Sequence, residues 1–178
     1  IYGGHFLQQA VDAQLKRMLD KNPLRLEFYE KYQKIIQEYN DGKDAEAIRK
    51  AFEELVKFIN EMNEEERRAT RESLDEETLA IYDLLRKDNL TKDEEAKVKE
   101  VAIEMLAKLK AEKLKVERWR QSTQITAQVR TMIHDNLLWL PQESYHDDEV
   151  TTKTIDVYQH IYSNYYGGGA STYNTYAV

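Results

Sequence analysis

Only two prolines, Pro23 and Pro141, interrupt this chain of 178 residues, and that scarcity constrains the fold more than any other feature. A proline inside a helix removes a hydrogen bond and clashes with the preceding turn, so long stretches without one are open to continuous helix. Both prolines stand where apolar periods change. Asn22-Pro23 reads as a cap followed by a first-turn proline, and Pro141 closes the run ending at Leu140. Elsewhere apolar residues recur at spacings of three and four, the helical period. Leu7, Val11, Leu15, Met18 and Leu19 predict a helix from about His5 to Asp20. Leu26, Tyr29, Tyr32, Ile36 and Tyr39 predict a second, stopped by Asn40-Asp41-Gly42. Ile48, Phe52, Leu55, Ile59 and Met62 predict a third over Asp44 to Asn63.

Two serine or threonine residues then stand three positions before a glutamate, the spacing of a capping box. Ser73 with Glu76 opens a helix carrying Leu79, Tyr82 and Leu85, and Thr91 with Glu94 opens one that keeps its period from Val98 to Trp119. Ile125, Val129, Met132, Ile133, Leu137 and Leu138 mark the next, and Asp147 or Asp148 caps a last one through Val150, Ile155, Tyr158, Ile161, Tyr162 and Tyr165. The expectation is an all-α chain: a single irregular bundle of seven or eight helices over 1–166, then a flexible Gly/Tyr-rich tail over 167–178. Gly167-Gly168-Gly169 lacks apolar periodicity and favours coil.

Charged residues make up 33% of the chain, which in a sequence poor in aromatics would point to disorder. Here 12 Tyr, 2 Trp and 4 Phe supply large side chains for a core. The absence of cysteine removes disulfides, thiolate metal sites and a Cys nucleophile. It suits a cytoplasmic protein, and no apolar run reaches the length of a membrane span. Ile1 is not an initiator Met, so the sequence is read as part of a longer polypeptide.

No catalytic constellation stands out. The glycine run lacks the Lys-Ser/Thr of a phosphate loop. His5, His134, His146 and His160 are scattered, and no metal site is expected. Asp93-Glu94-Glu95-Ala96-Lys97 contains an acidic-x-Lys triplet that metal nucleases carry on a strand, whereas here it opens a helix. The chain alone is expected to have no enzymatic activity and to bind no cofactor.

A net charge of −7 argues against wholesale wrapping by nucleic acid. The one local exception is Lys108, Lys110, Lys113, Lys115, Arg118 and Arg120, interrupted only by Glu112 and Glu117, with Arg130 on the following helix. Two readings stand side by side: a backbone-binding surface for duplex DNA, or a basic helix end that pairs with solvent and nearby carboxylates. Trp119, between two arginines, is either a partner anchor or core.

Several stretches together resemble a known family: Ser73 through Leu85, Leu90-Thr91-Lys92-Asp93-Glu94-Glu95, Val98 through Ala102, Trp119-Arg120, Val129-Arg130, Ile133-His134-Asp135, Leu140-Pro141 with Tyr145, and Val157 through Tyr162. Over about residues 70–166 the chain resembles the C-terminal region of HsdR, the motor and nuclease subunit of type I restriction-modification enzymes, particularly the IC group. The resemblance implies a parent that uses ATP and Mg for translocation and DNA cleavage, with its helicase and nuclease motifs N-terminal to this region. It implies the methyltransferase and specificity subunits as partners, together with non-specific duplex DNA. The competing reading is a purely structural helical adaptor or spacer without DNA contact.

Overall fold

Among the described residues there are eight α-helices, all but the short fourth lying where the apolar periods place them. The computed structural model describes residues 2–174. Helix α1 spans Tyr2–Lys21. Asn22 then accepts a hydrogen bond from the Leu24 N–H at 3.1 Å and leads through a 3₁₀ turn at Pro23–Arg25 into α2, Leu26–Asp41. Asp44 caps α3, Ala45–Glu66, through a 2.8 Å bond from the Ala47 N–H. The short α4, Arg68–Arg71, follows. After it come α5 at Glu76–Leu85, α6 at Lys92–Leu109, α7 at Thr123–Leu137 and α8 at Asp147–Asn164. The class is all-α. None of the described helices is long and apolar enough to cross a membrane.

The fold divides into two compact units, Ile1–Glu76 and Glu77–Val178. The first unit packs Val11, Leu15 and Met18 of α1 against Tyr32 and Ile35 of α2 and Leu55, Phe58 and Met62 of α3. Phe58 lies beside Phe28 and stacks on Tyr32 with ring centroids 5.8 Å apart. Arg25 is buried and reaches Glu65 at 2.9 Å and Glu76 at 3.0 Å, so the desolvated guanidinium has two carboxylates to balance it. The sequence stripes are broader than this core. Leu26, Tyr29, Ile48 and Phe52 face outward, because each helix carries more apolar residues than one packed face accommodates.

In the second unit α7 packs against both α6 and α8, around Met105, Leu109, Val129, Ile133, Leu137, Val157 and Ile161. The Thr91–Glu94 capping box forms with both of its bonds: Thr91 Oγ1 accepts from the Glu94 N–H at 3.2 Å, and Glu94 accepts from the Thr91 N–H at 2.8 Å. Tyr145, buried in the loop before α8, donates to the Leu85 carbonyl at 2.8 Å.

Three sequence expectations are corrected here. Ser73 is not a cap: its φ is +57°, and the Leu74 N–H reaches back to the Ala69 carbonyl at 2.9 Å. That is a left-handed helix stop, and α5 starts only at Glu76. Nor does α6 run to Trp119. It ends at Leu109 and passes through a π turn, Lys110–Leu114. Leu109 and Leu114, five apart, are both buried, a spacing that suits the wider turn. Finally, His146 rather than Asp147 or Asp148 is the N-cap of α8, with its N–H donating to Glu149 at 3.1 Å. The two aspartates occupy the first turn, where the helix dipole favours them.

Candidate nucleic-acid interface

The turn after α6 is shaped by the end of the chain. Beyond α8, Tyr165–Gly167 and Ala170–Ser171 pair as a short antiparallel hairpin, β1 and β2. This hairpin lies over the basic segment. The Gly168 N–H donates to the Val116 carbonyl at 3.3 Å, the Gly169 N–H to Leu114 at 3.2 Å, and Trp119 Nε1 to the Tyr165 carbonyl at 3.1 Å. Of the segment 167–178, the described residues as far as Asn174 form this hairpin and the turns beside it; the last four residues lie outside the described residues.

Gly167 is the close point of this packing. A Cβ there would stand 2.9 Å from the Arg118 nitrogen and 3.1 Å from the Val116 carbonyl oxygen, at a φ of +104°. Gly167→Ala is therefore expected to destabilise the second unit by about 2 kcal/mol, read as a lower urea midpoint with an unchanged slope. A midpoint equal to wild type would show that the hairpin does not hold the turn.

Arg118, at the head of the 3₁₀ turn Trp119–Gln121, adopts a φ of +56°. A left-handed non-glycine residue persists only where its surroundings fix it, and here the hairpin bonds flank it on the chain at Val116 and Trp119. Lys115 and Arg118 are exposed.

The other cations of the segment do not share one surface. Lys110 pairs with Glu77, whose other oxygen accepts from the Tyr165 hydroxyl at 2.9 Å. Lys113 donates to Gln128 at 2.8 Å and Lys108 to Asn136 at 3.4 Å. Arg120 donates to the Tyr162 carbonyl at 3.2 Å, and its guanidinium stands 5.6 Å from the Tyr162 ring and 5.3 Å from the Tyr166 ring. Arg130 stands 4.5 Å from the Tyr158 ring. The structure thus gathers Arg120 and Arg130 along α8, leaves Lys115 and Arg118 on the turn, and commits Lys110 to a carboxylate.

Trp119 is fully enclosed, with 0% of its surface exposed and its edge against Tyr162 at 5.8 Å. It anchors the basic turn from within and offers no surface to a partner. Trp139, in the turn after α7, is 70% exposed instead. Residues 137–140, Leu-Leu-Trp-Leu, are all apolar, so the local pattern does not separate these two roles.

Gly168 and Gly169 spend their N–H groups on the carbonyls of Val116 and Leu114, so the glycine run cannot cradle phosphate. Among the described residues no three His, Asp or Glu side chains converge. The Glu-x-x-His spacing at Glu143–His146 falls in the loop before α8, not on facing helices as a bundle metal site requires.

One family model, described as type I restriction enzyme HindI endonuclease subunit-like, C-terminal, matches residues 4–163. The chain belongs to this family. As a C-terminal domain of a type I restriction endonuclease subunit, it carries the family pattern through α1 to α4 as well, beyond the stretch from 70 onward where the resemblance was legible. The hairpin lies past the end of the match. No curated protein and no solved structure was found to match the chain.

Proposed function

We propose that this C-terminal domain gives its endonuclease subunit a non-specific hold on duplex DNA and a docking surface for the methyltransferase and specificity subunits, in the cytoplasm. The observation that carries the DNA reading is the turn at Lys113–Arg118. Lys115 and Arg118 are exposed and have no carboxylate partner among the described residues, in a chain where carboxylates outnumber cations by 33 to 26. Positive charge left uncompensated on an acidic protein attracts phosphate locally while the surrounding surface repels it. Such contacts position duplex without reading its sequence. The assembly reading is supported by Trp139 and Leu138, exposed side by side after α7, since an exposed tryptophan is the residue type most often found at the energetic centre of an interface. ATP and Mg would act in other regions of the parent.

The test is the triple variant Lys113→Glu, Lys115→Glu, Arg118→Glu in the assembled enzyme. Each phosphate contact adds about 0.9 to the logarithmic salt slope of DNA affinity, so loss of the turn should flatten the slope by about 2 to 3. An unchanged slope in a folded, assembled variant would reduce the domain to a structural adaptor.

A further inference from the structure

Two groups of arginines contrast in their partners. Arg25, Arg49, Arg67, Arg68, Arg71 and Arg86 all pair with carboxylates. Arg120 and Arg130 have no carboxylate partner among the described residues, and both stand over tyrosines. The tyrosines form a ladder. Tyr158 and Tyr162 share a face of α8 at a spacing of four, with ring centroids 6.0 Å apart. Tyr166, four further on, continues it from β1 and shares the Arg120 guanidinium with Tyr162. Tyr162 and Tyr166 remain 41% and 43% exposed. A groove of about 540 Å³ runs along this face, lined by Arg120, Thr126, Tyr158, Gln159, Tyr162 and Ser163. No carboxylate lines it.

We propose that this groove binds single-stranded nucleic acid, with unpaired bases stacking on the tyrosine and guanidinium planes and the two arginines neutralising phosphates. A guanidinium stacked on a ring still presents its second face and most of its N–H donors. Arg120 is oriented by its bond to the Tyr162 carbonyl, so little further ordering is needed on binding. Combined aromatic faces and positive charge in a groove are what sequence-tolerant single-strand binding requires. Rigid duplex keeps its bases stacked and inaccessible, so it could use only the charge. The site is separate from the duplex hold proposed for Lys113, Lys115 and Arg118 and does not depend on it.

The experiment measures fluorescence anisotropy of a labelled oligothymidylate and of a labelled duplex of equal length against the full chain. Its variants are Arg120→Lys with Arg130→Lys, and Tyr158→Leu with Tyr166→Leu. The lysine pair keeps the charge and removes the planar stacking groups. Both pairs should weaken oligothymidylate binding by about tenfold or more, while duplex affinity changes less than twofold. Conversely, the Lys113, Lys115, Arg118 charge reversal should weaken the duplex more than the single strand, so either reading can fail alone. Circular dichroism melting identifies a variant that has lost its fold, and the lysine pair, which retains size and charge, then decides. Oligothymidylate binding that is absent in wild type, or unchanged in the lysine pair, overturns the proposal. So does full displacement by polyglutamate at equal charge concentration, which would make the groove a site for acidic protein segments.

Discussion

Trp119→Ala is expected to lower the stability of the Glu77–Val178 unit by about 4 kcal/mol, the range seen for removal of a large buried aromatic. The indole is fully buried, meets Tyr162 edge-on and donates to the Tyr165 carbonyl. Truncation leaves a cavity and removes that buried hydrogen bond together. The loss should appear as a lower urea midpoint, and the hairpin amides at Gly168 and Gly169 should lose protection from hydrogen exchange first, since they close the same turn. Trp139→Ala serves as the internal control: at 70% exposure it should change stability by less than about 0.5 kcal/mol. Equal effects of the two substitutions would contradict the placement of the indoles.

Acid should weaken the second unit through His160. Burial lowers its pKa from 6.5 to about 4, and the ring is held by the Tyr173 hydroxyl at 2.9 Å and Asn164 at 3.3 Å. The folded state therefore resists a proton that the unfolded chain accepts. Stability is complete above about pH 6.5, falls as pH drops from there to about 4, and levels off below. The full difference is about 3 kcal/mol, from 1.36 kcal/mol for each pH unit of that interval. In His160→Gln the decline in unfolding free energy between pH 6.5 and 4 should become shallower by that amount, whatever the carboxylates contribute. Parallel pH profiles for the two proteins would show that His160 is not held neutral.

The helices were legible because proline scarcity and the three-four period are local signals, and the Thr91–Glu94 box carries its own partners within one turn. Ser73 and Glu76 have the same spacing without the box. There the preceding helix ends in a left-handed stop at Ser73, closed by the Leu74 N–H bond to the Ala69 carbonyl, which the spacing of the tetrapeptide does not encode. The π turn was invisible because Val116 and Trp119 happen to continue the α period past Leu109. The basic residues of the site were readable as composition, but their division was not. Which lysine meets Glu77 and which arginine meets a tyrosine depends on residues 28 to 46 positions away. At Gly167–Gly169 the run of glycines does not show in the sequence which carbonyls it approaches, those of Val116 and Leu114. The left-handed φ values of +104°, +62° and +79° are the reason for glycine there.

Location, not net charge, is what the functional account asserts, and the most direct measurement compares two charge reversals of equal size in the assembled endonuclease. One replaces Lys113, Lys115 and Arg118 by glutamate. The other replaces Arg49, Lys50 and Lys57, which are between 62% and 69% exposed on α3. Both change the charge by the same amount, and duplex affinity is measured across a salt series. The account predicts a flattened slope and weakened binding for the first variant and a near wild-type slope for the second. Equal losses in both would mean that the domain acts through overall charge alone, and loss in neither would mean that it does not hold DNA.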